Sequence, residues 1–139
     1  MTFTEKYLNI FAVFDTPEDE RSHADNAVQA ALAIADIAEK AVAETKEGQP
    51  PFVINMGINS GVANVGFTAI QSPTQRQRTV SVIGPPVNIA ARIAAEARNG
   101  AVLIGGGTDD LLTIDIEKTL LGDFEFKNVG QPIRVLRIR

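Results

Sequence analysis

At 139 residues with 45% hydrophobic side chains, the chain is long enough for one packed core and has no room for two. Its net charge of −4, with 13 Lys and Arg scattered along the sequence, excludes a nucleic-acid footprint and a polybasic membrane patch. The lack of cysteine excludes disulfides and thiolate metal sites. With no apolar run of membrane-spanning length and no signal-peptide core in MTFTEKYL, the expected location is a reducing cytoplasm.

In chain order, Tyr7 to Phe14 (YLNIFAVF) is mostly apolar and stops at Asp15-Thr16-Pro17, which predicts a buried strand. An acidic stretch follows, in which Ser22 and Asp25 have the spacing of a loose capping box. Ala24, Ala27, Val28, Ala31, Leu32, Ala35, Ala38 and Val42 then repeat at helical spacing over about five turns. Phe52 to Asn59 alternates as a strand. Ser60-Gly61 offers a turn, and Val62 to Thr68 returns as an expected antiparallel partner. The polar stretch from Gln71 to Gln77 reads as a loop.

The next segment, Arg78 to Ile93, joins a β-branched run to a helix-forming run through Gly84-Pro85-Pro86. Glycine reaches backbone angles closed to other residues, and proline is tolerated in a helix's first turn, so a strand stops here and a helix starts. On that helix Asn88 and Arg92 are four residues apart and leave from one face. Ile89 and Ile93 with Ala90, Ala94 and Ala97 form a neighbouring apolar stripe that would hold the helix against a core. Spacing alone also fits a plain surface reading, with Asn88 a first-turn polar residue and Arg92 paired with Glu96. Asn99-Gly100 is expected to close the helix. Ala101 to Ile104 predicts a short strand, Gly105-Gly106-Gly107 breaks it, and Thr108 is expected to cap a short helix through Leu112. Ile116 to Leu121, Phe124 to Phe126 and Ile133 to Ile138 are the remaining strand candidates. Helices set among hairpins, without regular strand-helix alternation, predict an α+β sheet with helices on one face. His23, the only histidine, reads as a surface residue beside a helix cap.

The segment VIGPPVNIAARI resembles the signature of the class III nucleotide cyclases, the adenylate and guanylate cyclase homology domain, whose pattern runs roughly viG-x-x-VN-x-A-a-R. IFAVFDTPEDERSHADNAVQAALAIADIAE resembles the family's strand and following helix, MGINSGVANVG its glycine-flanked hairpin, and LGDFEFKNVGQPIRVLRI its C-terminal tail. The likeness covers nearly the whole chain. It implies one partial cyclase domain over residues 1–139, a ferredoxin-like sandwich of the cyclase type lacking the first strand and its helices.

In that family the ribose 3′-hydroxyl of a nucleoside triphosphate attacks the α-phosphate at a dimer interface and pyrophosphate leaves. By position, Asn88 matches the asparagine that orients the ribose, and Arg92 the arginine that stabilises the charged transition state. The planar, always ionised guanidinium suits that duty. Lys127 matches the lysine that pairs with the terminal phosphates. Ser81 sits at the base-selecting position and Lys6 is the candidate base-selecting lysine, both leaning towards ATP. Taken without the family, Lys127 reads equally as a strand-end lysine and Ser81 as a half-buried strand residue.

The family uses two Mg²⁺ or Mn²⁺ ions held by two aspartates. One belongs to a first strand of the type F-x-D-i-x-G-F-T, which no residue before Lys6 matches. The other belongs to a Gly-Asp pair expected between Lys6 and Phe11, where EKYL runs straight into NIFAVF. Asn9 is neutral and a poor substitute for a carboxylate, and Asp15, Asp19 and Glu20 read as loop charges. The resemblance therefore implies the ribose and transition-state half of an adenylate cyclase site without its metal half, as in the second catalytic half of mammalian membrane adenylate cyclases. Such a chain needs a homodimeric or heterodimeric partner, and cyclic AMP formation needs one that is metal-competent. The alternative is a catalytically inactive nucleotide-binding or dimerisation module.

Overall fold

The computed structural model describes residues 9–15, 22–48, 52–74 and 76–139. In chain order its elements are α1 (Ser22–Ala43), β1 (Met56–Ile58), β2 (Asn64–Gln71), β3 (Arg76–Ile83), α2 (Pro85–Glu96), β4 (Val102–Gly105), α3 (Gly106–Asp109), β5 (Thr119–Phe124) and β6 (Ile133–Arg137). β1, β4, β6 and β5 lie side by side in one sheet, and β2 pairs with β3 in a separate two-stranded ribbon. The β1–β4 pair is parallel, and the β4–β6 and β5–β6 pairs are antiparallel. None of the described helices is long and apolar enough to cross a membrane.

The run Val102-Leu103-Ile104-Gly105 is buried throughout, as expected of a strand covered on both faces. Alternation along β4 shows what covers it. Val102 and Ile104 pack with Val28, Ala31 and Ala35 of α1, whereas Leu103 packs with Ile93 and Ala97 at the end of α2. The same split recurs on β6, where Val135 joins the α2 cluster and Leu136 the α1 cluster. The two long helices therefore lie on opposite faces of the sheet, which corrects the expectation of helices on one face. Mixed α+β architecture, the long first helix and the helix after Gly84 are all present as expected.

Several local expectations are corrected. Ser22 is the first described residue of α1. Asp25 reaches away from the helix end to accept hydrogen bonds from the Thr113 backbone N–H, at 2.9 Å, and from its hydroxyl. The strand expected over 52–59 shortens to Met56–Ile58, and its partner is β4, not 62–68. The turn at 59–61 is held elsewhere: Asn59 Nδ2 donates to the Pro86 carbonyl at 3.3 Å, and Ser60 Oγ bonds Thr108 Oγ1 at 2.9 Å. β2 instead pairs with β3, from Asn64↔Ile83 to Gln71↔Arg76, so the polar stretch after Gln71 is the hairpin turn. Thr108 is buried inside α3 rather than capping it. α2 stops at Glu96, Ala97 is extended, and Asn99 and Gly100 with positive φ form the turn beyond. Residues 9–15 form no strand, and Ile10 and Phe11 are exposed, because no described strand lies alongside them to pair with.

Candidate active site

Gly84 supplies the start of the site. Its φ of 154° suits glycine, and Pro85 and Pro86 occupy the first helical positions of α2, where no N–H is needed. Ile93 is completely buried and Ile89 partly so, which fixes the helix's rotation and leaves Asn88 and Arg92 on its exposed side. Lys127 arrives from the β5–β6 connection. Phe124 and Phe126, with ring centroids 6.0 Å apart, both pack against the Ile93 cluster and draw that connection onto α2. The following turn closes through Val129 N–H to Phe126 O at 3.1 Å, and places Asn128 in the left-handed region at φ 65°.

Two adjoining cavities result. The smaller, about 260 Å³, is lined by Asn88, Ala91, Arg92, Lys127, Asn128 and Val129. The larger, about 700 Å³, shares Asn88, Asn128 and Val129 with it and adds Gly84, Ile89 and Gln131 among its walls. Thus three of the residues singled out in the sequence, Asn88, Arg92 and Lys127, meet in one pocket although Lys127 is distant in the chain. Arg92 forms no ion pair with Glu96 or any other described residue, in contrast to Arg134, held by Asp109 and Asp110, and Arg139, held by Asp36 and Glu39. Two like charges in a small pocket with no carboxylate in the lining favour an anion there.

Ser81 is half-buried on β3 opposite Gly66 and lies outside both linings. Lys6, Asp19 and Glu20 lie outside the described residues. Asn128 and Gln131 were not among the sequence candidates. The available signal was the polar, glycine-containing turn Lys127-Asn128-Val129-Gly130-Gln131 between two strands.

The donor set does not fit a divalent metal ion. Both linings offer amides and the smaller adds a guanidinium and an ammonium, whereas Mg²⁺ and Mn²⁺ prefer anionic oxygen. Among the described residues no three His, Asp or Glu side chains converge as a metal site. Asp15 is exposed in the 9–15 segment.

Comparison with known proteins places these features in context. Residues 4–136 match the family described as adenylate and guanylate cyclase catalytic domain. A uridylate cyclase from a Rhizobium species is 34% identical over 91 residues, covering 63% of this chain and 16% of that protein. The crystal structure of the adenylyl cyclase CyaB from P. aeruginosa superposes with a TM-score of 0.72 at 25% identity, covering 91% of this chain and 64% of that one. The guanylate cyclase domain of RhGC from Catenaria anguillulae, solved in complex with GTP, shares the fold with a TM-score of 0.67 at 23% identity, covering 91% and 64%. The chain thus spans under two thirds of these solved chains and about a sixth of the curated relative.

Proposed function

Because the chain belongs to the family of adenylate and guanylate cyclase catalytic domains, we propose that it forms the ribose-and-phosphate half of a nucleotide cyclase site completed by a second domain, with ATP as substrate. The observation that carries this reading is the convergence of Asn88, Arg92 and Lys127 on one pocket without a carboxylate. In the reaction the O3′–Pα bond forms and the bond from Pα to the bridging oxygen breaks, so that pyrophosphate leaves with the electron pair. Lys127 holds the terminal phosphates, Asn88 orients the sugar, and Arg92 neutralises charge that develops on the α-phosphoryl oxygens. No group in the lining accepts the 3′ proton, so that function, and the anionic ligands for any metal, have to come from the second domain.

Two observations favour further readings of the same pocket. The lack of carboxylates fits a nucleotide-binding module that turns nothing over alone, and the likeness to a uridylate cyclase fits UTP in place of ATP. One experiment separates them: cyclic product is measured with Mn²⁺ and each of ATP, GTP, UTP and CTP, for the chain alone and mixed with a metal-competent cyclase domain. The expected result is silence alone and cyclic AMP from the mixture. Arg92→Ala should lower that rate by about 10²–10³-fold, the loss typical of removing one transition-state donor. Cyclic UMP from the mixture would replace ATP as substrate. Activity that survives Arg92→Ala would refute the shared site, and a silent mixture would leave the binding module.

A further inference from the structure

Resting on the shared-site reading above, we infer that Asn59 is a positioning residue for the reaction: from outside the site it fixes the first turn of α2, which carries Asn88. Asn59 stands just past the end of β1 and lines neither cavity. It is half-buried, and its Nδ2 donates to the Pro86 carbonyl at 3.3 Å. A carbonyl oxygen accepts and cannot donate, so the NH₂ end of the carboxamide has to face it. The Oδ1 end lies against β4, so close to Gly105 that a Cβ there would stand 2.5 Å from it. One carboxamide thus bridges the sheet and the start of the helix.

The first turn of α2 needs such a tether. Its N-cap is Gly84, which brings no side-chain bond, and Pro85 and Pro86 have no N–H to offer. The buried Ile93 decides which face of the helix meets the core, and it steadies Arg92 beside it, but it lies about two turns beyond Pro86. Fine placement of the first turn falls to contacts made there: the Pro86 ring over Gly61, where a Cβ would sit 2.5 Å away, and the bond from Asn59. The base of the strut is itself held. Ser60 Oγ bonds Oγ1 of the fully buried Thr108 at 2.9 Å, and the Ser60 carbonyl lies 2.9 Å from where a Cβ on Gly107 would be. The polar run Asn59-Ser60-Gly61, which turns no hairpin, is accounted for in this way.

The leverage is geometric. A side-chain tip stands about 5–6 Å from a helix axis, so a rotation of about 10° moves it by about 1 Å. A misplacement of that size in a group that orients substrate costs about 10²-fold in rate. Asn88 follows Pro86 by two residues and feels the tether directly, whereas Lys127, on the β5–β6 connection, does not.

Rates of cyclic-product formation from the preferred nucleotide, measured for the full chain mixed with a metal-competent domain and corrected for that domain alone, test this. Asn59→Leu keeps the size and removes the donor. It should lower kcat about 10- to 100-fold with KM within about threefold, because the terminal phosphates stay on Lys127. In an Asn88→Ala background the same change should cost less than about threefold, since the group it positions is already gone. Ser60→Ala, which takes the partner from buried Thr108 but leaves the bond to Pro86, should lower Tm while kcat stays within about twofold. If circular dichroism shows Asn59→Leu unfolded, Asn59→Asp, which keeps the planar shape and turns an oxygen towards the carbonyl, takes its place with the same expected losses. An unchanged kcat, a full further loss in the Asn88→Ala background, or an equal fall for Ser60→Ala would overturn the assignment and leave the shared site standing. A wild-type mixture that makes no cyclic product would overturn both.

Discussion

Arg92 and Lys127 show how one charged residue is placed by local geometry and another by packing. Arg92 follows Asn88 by one helical turn, so their common face is written into the spacing, and the surface alternative differed only in what lies across from them. Lys127 owes its place to two phenylalanines settling on α2, a contact between distant segments that no local pattern specifies. The same distance hid Asn128 and Gln131. Asp25 is a comparable case: its spacing from Ser22 suggested a cap, but its carboxylate is engaged by Thr113. The Thr113 hydroxyl, then its backbone N–H, hold the Asp25 pKa below its ordinary 3.8. With the folded value depressed, the stabilisation is complete above the unfolded value and is lost as pH falls through the folded one. Thermal melts from pH 7 to pH 2.5 should therefore show the wild type losing Tm more steeply than Asp25→Asn below about pH 4, with the variant the less stable at pH 7. Parallel curves would remove this link between α1 and the 112–115 loop as an acid-sensitive contact.

At the scale of elements, the site depends on how closely α2 lies against β1. Gly57 faces the helix so tightly that a Cβ there would sit 2.7 Å from the Ala90 carbonyl oxygen and nearer still to the Ala94 backbone. A Cβ at Gly61 would meet the Pro86 ring at 2.5 Å in the same way, and Asn59 ties the Pro86 carbonyl to the end of β1. Gly57→Ala must push backbone against backbone, so it should cost about 1–3 kcal/mol in urea unfolding, and more if the helix cannot shift. Because Asn88 and Arg92 ride on α2, the variant should also lose complementing activity at temperatures where it remains folded; unchanged stability would show that the seat is looser than the close approach implies. The elements themselves were largely legible, since α1 and α2 declare their periodicity and their apolar stripes are the buried ones. Their partners were not. Ser60-Gly61 looks like a hairpin turn, but the hydrogen bonds of Asn59 and Ser60 go to α2 and α3, which leaves β1 to pair in parallel with β4. Likewise Ala101 to Ile104 was read as a short strand without the inference that an unbroken apolar run has both faces covered, as β4 does from Val102 to Gly105.

For the molecule as a whole, a group of exposed apolar side chains marks where a second domain would dock. It is local to the β2–β3 ribbon and its approach: Val62 is 93% exposed, Phe67 80% and Ile83 70%. By pairing, Val65 and Phe67 lie on one face of the ribbon and Ile83 on the other, so neither face is fully covered. A two-stranded ribbon is marginal in water, and large exposed side chains on both faces favour its burial against another chain. If the ribbon is where the second domain docks, Phe67→Glu should shift the sedimentation profile from dimer towards monomer and abolish activity in the mixture. The far-UV circular dichroism should be retained, because an exposed Phe67 contributes little to the isolated fold. An unchanged mass distribution for the variant would move the interface elsewhere. A wild type that stays monomeric at every concentration would leave only the mixed pair, in which Phe67→Glu must then weaken binding to the metal-competent domain.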